Sequence, residues 1–530
     1  NLSIALHQHH NQKCMASSPK SCELDPIPTS VLKSCVDTIL PTITTIINKS
    51  ILESTVPTSL KNAVVRPLLK KQGIDKEVLK NYRPVSNLSF ISKVLEKVIN
   101  SRLEDHLQSN NLHDRQQSAY RAYHSTETAL LRVHHDITSA LDKGMCVVLL
   151  MLDLSAAFDV IDHTILMNRL EFSFGITSAA LSWIQSYLSD RQQSIAIGQS
   201  KSRDFQLNFG VPQGSVLGPK LYSLFAKPIC DICRKHNMSF QCYADDTQLY
   251  MAITPTSNWI DIASRLQICL SDIGSWMRSN YLKINQEKTE LIVFAPKHKI
   301  NYFKELSINF DGNKISVSSI VKNLGVNFDS LLNMDHQVRN IAKSCYHQLR
   351  NIGRIRPLIS ESASKTLVCS LVTSRLDYGN ALLHGVCTSS LSRLQRVQNT
   401  AARIITRTRK YDHITPVLVK LHWLPIEQRI QYKLILQAFK ALHRTSPFYI
   451  QELVQVYKPN RSLRSESSML LVQSRARTRS YGDRRFDVAS STLWNNLPQN
   501  LRLEGNLICF KKLLKTYLFS KAYPDYSSVF

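Results

Sequence analysis

The chain has 530 residues, 43% of them hydrophobic and 20% charged, with a net charge of +26 and a pI near 9.6. That is the composition of a globular protein, and its longest strongly apolar run, Cys146 to Leu152, is far too short for the roughly 20 residues of a membrane-spanning helix. The positive charge implies a polyanionic partner, and residues 331–530 hold 31 Lys and Arg against 11 Asp and Glu, leaving 35 against 29 for residues 1–330.

The sequence begins at Asn1 and its first residues show no apolar signal-peptide core, as expected of a fragment whose upstream part is missing. Residues 1–60 predict a helical N-terminal extension, in which Pro28 and Thr29 lead into Val31, Leu32, Cys35 and Ile39 at helical spacing. From 61 to 330, short β-branched runs alternate with amphipathic helices, which predicts mixed α/β structure. The 12 cysteines are scattered singly apart from Cys230 and Cys233, so reduced thiols in a cell interior are expected. Those two with His236 form half of a zinc site, and no second pair completes it.

The stretch CVVLLMLDLSAAFDVIDHTIL predicts a buried strand ending in Asp153, a small-residue turn through Phe158 and Asp159, and a helix beginning near Asp162. A carboxylate at the end of such a strand is costly unless it is paired or bound to a cation. In FGVPQGSVLGPKLYSLF, Gly210 and Pro212 make a turn, Gly214 permits close backbone approach, and Ser215 can cap a helix carrying Val216, Leu217, Leu221 and Leu224. Gln213 is left as an amide in that loop. The stretch QCYADDTQLY alternates apolar and polar residues on either side of Asp245 and Asp246, predicting two strands joined by a two-residue turn with the acids at its tip.

Taken alone, the acid pair reads as tolerated turn residues. If the strand that ends in Asp153 lies beside that hairpin in one sheet, three carboxylates converge at one rim. Repelling acids of that kind are stabilised by Mg²⁺, and two such ions can serve an in-line phosphoryl transfer.

Residues 331–410 predict helices, the clearest being LSRLQRVQNTAARIITRTRK. Leu391, Leu394, Val397, Ala401 and Ile405 form its packing stripe, while Arg393, Arg396, Arg403 and Arg407 fall off it with almost no acids to balance them. These arginines are candidate nucleic-acid contacts. Residues 411–530, broken by Pro416, Pro425, Pro447 and Pro459 and carrying QSRARTRSYGDRRF, predict a small basic C-terminal region.

The ordered set LKNYRPVSNLSFISKVLEKVI, QSAYRAYHSTETALL, MLDLSAAFDVIDH, GVPQGSVLGP, YADD, LKINQEKTELIVF and VKNLGVNFD resembles the successive motifs of reverse transcriptases from non-LTR (LINE-type) retrotransposons, jockey-like lineages above all. SRLDYGNALLHG, LQRVQNTAARII, LHWLPIEQRI and WNNLP extend the likeness towards the C-terminus. The resemblance implies a right-hand polymerase, with fingers and palm over 61–330 and a helical thumb over 331–410. It implies an RNA-directed DNA polymerase using two Mg²⁺, or Mn²⁺, to copy element RNA from a DNA primer at a nicked target site. Asp153, Asp245 and Asp246 would be its carboxylates and metal ligands, with the backbone of Leu154 beside them. Gln213 and Gly214 would border the incoming dNTP, Arg83 would contact its triphosphate, and Lys288 would protonate the departing pyrophosphate. Phe158, five residues after Asp153, matches an aromatic gate that leaves no room for a ribose 2′-OH. The endonuclease of such elements is expected outside this chain, and an intracellular ribonucleoprotein acting in the nucleus is the implied setting. The alternatives are a catalytically silent or host-adopted nucleic-acid-binding relic of such an element and a metal-dependent nuclease, for which no further constellation appears beside the acids.

Overall fold

Local patterning decides most elements of this mixed α/β structure, and long-range packing decides how they are used. The computed structural model describes residues 22–529 apart from 72, 156–157, 255–256, 304–305, 311 and 459–467. The start of the predicted N-terminal extension and part of the turn after Asp153 therefore lie outside the described residues. No helix among those described is long and apolar enough to cross a membrane. The chain divides into two compact units.

The first unit comprises the chain up to Tyr120 with Asp153–Asn237 and Ile268–Glu287. Its N-terminal helical spacing resolves into two helices, Thr29–Ser34 and Val36–Leu52, separated at Cys35. A sheet follows in the order Tyr82–Asn87, Ala63–Leu69, Arg191–Ile197, Ser200–Lys201, with Phe205–Leu207 also paired to Arg191–Ile197. The pairing of Ala63–Leu69 with Tyr82–Asn87 is antiparallel and sets Leu68 opposite Arg83. Ser89 then starts the helix Phe90–Ser109 by accepting the Ser92 N–H at 3.3 Å. The helix after GVPQGS begins at Gly218 rather than at Val216, and Ser215 Oγ accepts the Gly218 N–H at 3.0 Å. The cysteines of the half zinc site, Cys230 and Cys233, are buried on the helix Lys227–Lys235.

The second unit comprises Arg121–Leu152, Met238–Gln267 and the chain from Lys288 onward. Its sheet runs Ser307–Phe310, Asn313–Ser318, Glu290–Phe294, Cys146–Leu152, Asp246–Ile253, Ser239–Tyr243. An uninterrupted apolar run such as Cys146–Leu152 suits an inner strand, because both of its faces are covered. A capping box of Ser125 and Thr128 starts the helix Thr126–Asp142, which buries Leu130, Val133, Ile137 and Leu141. One hydrophobic core joins these residues to Leu149 and Ile292 of the sheet, and to Val397, Leu434, Trp494 and Phe510 of the later helices. Burial of each such side chain contributes about 1.5–3 kcal/mol. That continuous core crosses residues 330 and 410, so residues 411–530 do not stand apart as a body of their own.

Buried ions reinforce the same unit. Asp136 accepts from Arg132 Nε at 2.9 Å and from the Tyr250 hydroxyl at 2.6 Å, while Arg132 also donates to the Tyr449 carbonyl at 2.9 Å. Asp142 accepts the backbone N–H groups of Arg477 and Thr478 and pairs with Arg485 at 3.3 Å. Arg484 is buried and donates to the Leu332 carbonyl at 2.6 Å, with desolvation lowering its pKa to about 10. Part of the basic run QSRARTRSYGDRRF is thus fixed internally, and removing one partner of such a buried pair costs about 3–5 kcal/mol.

Candidate functional site

The hairpin that the sequence predicts around Asp245 and Asp246 is present, but its burial does not alternate, because Gln241, Thr247 and Gln248 are buried along with Phe240, Cys242 and Leu249. Ser239–Tyr243 and Asp246–Ile253 pair antiparallel with Tyr243 opposite Asp246 and Cys242 opposite Thr247, which makes Ala244 and Asp245 the two turn residues. Asp246 is therefore the first residue of its strand rather than part of the tip. Ala244 has φ 57°, in the left-handed region that glycine ordinarily takes, whereas Asp245 has no positive φ. A non-glycine residue there stores about 1–3 kcal/mol of strain, and such outliers cluster at functional sites. The turn leaves Asp245 half-buried and Asp246 exposed.

The strand of Asp246 is flanked by the central strand, with Leu152 opposite Thr247 and Met151 opposite Gln248. A cleft of about 130 Å³ opens here between Asp246, Gln248 and the hairpin residues Lys322, Asn323 and Leu324. Asn323 Nδ2 donates to Gln248 Oε1 at 2.7 Å. The Tyr378 hydroxyl donates to the Leu324 carbonyl at 2.6 Å, so VKNLGVNFD is tied down next to the acids. Lys288 is exposed on the single turn Gln286–Lys288, just ahead of the strand Glu290–Phe294.

The other predicted site residues lie in the first unit. Asp153 is half-buried and its carbonyl accepts the Asn285 N–H at 2.8 Å, while Leu154 pairs with Ile284. Phe158 is half-buried, with its ring centroid 4.9 Å from that of buried Tyr222 on the helix Gly218–Phe225. The loop at 210–214 then binds this segment. Gly210 N–H donates to the Ile161 carbonyl at 2.8 Å and Val211 N–H to the Phe158 carbonyl at 2.9 Å. Gln213 Nε2 lies 2.9 Å from both carboxylate oxygens of Asp159. The Gln213 carbonyl in turn accepts the Ser86 N–H at 2.7 Å, on the strand that carries exposed Arg83. Arg83, Phe158, Gln213 and Gly214 are thereby linked through one backbone network.

Two participants escape the sequence reading. Asp159 carries no signal that separates it from an ordinary turn aspartate. Glu96 is fully buried and accepts Val216 N–H at 2.6 Å and Leu217 N–H at 3.0 Å, with burial pushing its carboxyl pKa up. Its signal is present in KVLEKVI, where a glutamate sits among Val94, Leu95, Val98 and Ile99 on a helix face that is otherwise apolar.

Gly214 has φ +128°, and a Cβ built there would lie 2.5 Å from the Ser86 carbonyl oxygen. Gly214→Ala is expected to break the Ser86–Gln213 bond and to cost about 1–3 kcal/mol. Urea denaturation reads this directly. An unchanged midpoint would mean that the loop relaxes away at no cost.

The four candidate arginines separate into two pairs. The helix Thr388–Thr406 buries Leu394, Val397, Ala401 and Ile405 as predicted, and leaves Arg396 exposed and Arg393 half-exposed. Arg403 donates to the carbonyls of Arg409 at 3.3 Å and Asp412 at 3.0 Å. Arg407 lies beyond the helix in a left-handed cap, φ 58°, and donates to the Arg356 carbonyl at 3.1 Å. Among the described residues no three His, Cys, Asp or Glu side chains form a group that could hold a metal ion.

Residues 69–328 match the family model described as reverse transcriptase (RNA-dependent DNA polymerase). Among curated proteins, the chain is 28% identical over 377 residues to the probable RNA-directed DNA polymerase from transposon BS of Drosophila melanogaster, covering 68% of this chain and 40% of that protein. It is 27% identical over 401 residues to the probable RNA-directed DNA polymerase from transposon X-element of the same species, covering 74% and 42%. The RNA-directed DNA polymerase from mobile element jockey, also of Drosophila melanogaster, is 26% identical over 351 residues, covering 64% and 37%. The chain thus spans about two fifths of the length of these relatives.

Proposed function

The chain carries, over residues 69–328, a reverse transcriptase domain of the jockey-like non-LTR type, and from that premise we propose that it is an RNA-directed DNA polymerase that copies its element's RNA from a DNA primer at a nicked target. The observation that carries this reading is the hairpin that turns at Ala244 and Asp245 and starts its second strand at Asp246, in register with the strand whose end, Leu152, immediately precedes Asp153. Fingers and palm would then lie within 61–330 and the thumb within 331–410. The nick would come from an endonuclease outside this chain.

Enzymes of this family use divalent metal ions, and by the resemblance Asp153, Asp245 and Asp246, with the Leu154 carbonyl, would hold two Mg²⁺, although the three carboxylates do not stand as a metal-holding group among the described residues. The donor set suits that ion, because carboxylates are hard oxygen ligands and adjacent acids repel one another without a cation between them. When bound, such ions neutralise charge on the attacking and departing oxygens. The remaining work belongs to the protein. Arg83 would clamp the triphosphate of an incoming dNTP, Gln213, braced by Asp159, would border its base and sugar, and Lys288 would donate a proton to the departing pyrophosphate. Phe158, supported by Tyr222, would occupy the space that a 2′-OH requires. Primer extension on an RNA template with dNTPs tests the reading, and no product from a folded chain that still binds RNA would favour a silent relic.

The arginine pairs give a separate test of grip. Arg393→Gln with Arg396→Gln is expected to weaken binding to unrelated primer–templates alike, and to make the log–log salt slope shallower by about one to two units. Arg403→Gln is expected chiefly to loosen the 409–412 loop. Titrations at several salt concentrations check both, and an unaltered slope in the double variant would assign this helix face to solvent or protein.

A further inference from the structure

LHWLPIEQRI is a sequence motif to which the polymerase chemistry assigns no role. In the second unit, its residues build one wall of a pocket of about 290 Å³, with His422, Trp423, Arg429, Tyr432, Lys433 and Lys515 around it. The wall is firmly set. The Tyr523 hydroxyl donates to the Trp423 carbonyl at 2.9 Å, Gln398 Nε2 to the Leu424 carbonyl at 2.8 Å, and Ile426 N–H to Gln395 Oε1 at 2.9 Å. Arg429 grips Asp377 with one guanidinium edge, Nε donating to Oδ1 at 2.8 Å and Nη2 to Oδ2. His422 also lines the pocket, with φ 53° in the left-handed region.

The charge around this pocket is one-sided. Lys433 and Lys440 lie on the helix Ile426–Leu442, and Lys511 and Lys515 on the helix Leu507–Ala522. Burial lowers the pKa of Lys440, and the charges of Lys511 and Lys433 lower it further against the opposing pull of Glu127. Glu127 contacts Lys433 at 3.1 Å, and Asp377 is held by Arg429. Of the residues that line the pocket, Arg429, Lys433 and Lys515 therefore face Asp377, with Glu127 on Lys433, and Lys440 and Lys511 lie further along the same two helices. Lys433 and Lys515 beside the half-buried Tyr432 and an edge of the buried Trp423 suit a ligand that offers phosphates and a flat base together.

We propose that this pocket binds one nucleotide of a single-stranded nucleic acid, its base against Tyr432 and Trp423 and its flanking phosphates on Lys433 and Lys515, with the strand continuing along Lys440 and Lys511. The site is separate from the polymerase carboxylates, and binding there requires no synthesis, so the proposal stands or falls independently of the polymerase reading.

The test uses the full chain with short single-stranded RNA and DNA of identical sequence carrying 5-iodouridine. Ultraviolet cross-linking followed by peptide mapping is expected to locate the adduct within 421–433. Anisotropy titrations are expected to show about a tenfold loss of affinity for Tyr432→Leu and little loss for Tyr432→Phe, since the ring and not the hydroxyl does the stacking. Lys433→Gln with Lys515→Gln is expected to make the salt slope shallower by about 1.4 units, two phosphates at about 0.7 each. Lys515→Gln alone, at an exposed position, is expected to melt like wild type and to give half of that change. RNA bound more tightly than DNA would identify the transcript as the ligand, and equal binding would identify any single strand. Adducts mapping elsewhere, together with unchanged slopes in both lysine variants, would overturn the proposal. So would uridine monophosphate binding as tightly as the longer strands.

Discussion

Asp245→Asn is expected to lower RNA-templated primer extension about a thousandfold, the equivalent of about 4 kcal/mol in barrier height, while RNA binding stays largely intact. Asparagine keeps the size of the side chain and one oxygen but removes the charge, so the hairpin turn and its register should survive. The neighbouring strand depends on Cys242, Thr247 and Leu249, which are buried and untouched by the change. Asp153→Asn is expected to behave alike, because its backbone bond from Asn285 does not involve the carboxylate. Primer extension, filter binding and a thermal melt on the same preparations separate chemistry from grip and folding. Near-wild-type extension by either variant would remove that acid from the metal-binding set.

Phe158→Val is expected to relax sugar discrimination by about a hundredfold, the scale on which a close-fitting apolar wall rejects an added hydroxyl. The ring is held by Tyr222 at 4.9 Å and by the backbone bond between its own carbonyl and Val211 N–H. Valine keeps that backbone bond and removes only the ring. Ribonucleotide incorporation should rise, while deoxynucleotide incorporation should change much less. The ratio of kcat/KM for a dNTP and its rNTP is the quantity to measure. An unchanged ratio, with a lower melting temperature, would assign Phe158 to packing against Tyr222 alone.

The acid hairpin was legible from the two β-prone runs on either side of YADD, whereas burial of the polar Gln241, Thr247 and Gln248 beside Phe240, Cys242 and Leu249 was not, since it depends on what covers the second face of the sheet. The positive φ of Ala244 was not legible, since alanine is no signal for a left-handed residue and the surrounding sheet imposes it. Burial of the Cys146–Leu152 strand followed from composition alone, whereas the bond from Gln213 to Asp159 joins residues 54 apart and depends on the fold. The arginine helix shows both cases. Its apolar stripe predicted which face packs, but helical spacing carried the helix on to Arg407, where no glycine or proline announces the left-handed stop observed there. The C-terminal charge run misleads for a related reason. A count of arginines cannot reveal that Arg485 meets Asp142, more than three hundred positions earlier in the chain, or that Arg484 is buried against backbone carbonyls.

The most direct measurement is single-turnover extension of a DNA primer annealed to an RNA template, with wild-type chain and Asp245→Asn compared at saturating enzyme, Mg²⁺ and dNTP. The predicted result is template-directed DNA from the wild type and none above background from the variant, at equal occupancy of the primer–template. Equal occupancy with no extension by the folded wild type would contradict the account, and so would extension that survives the loss of the Asp245 charge.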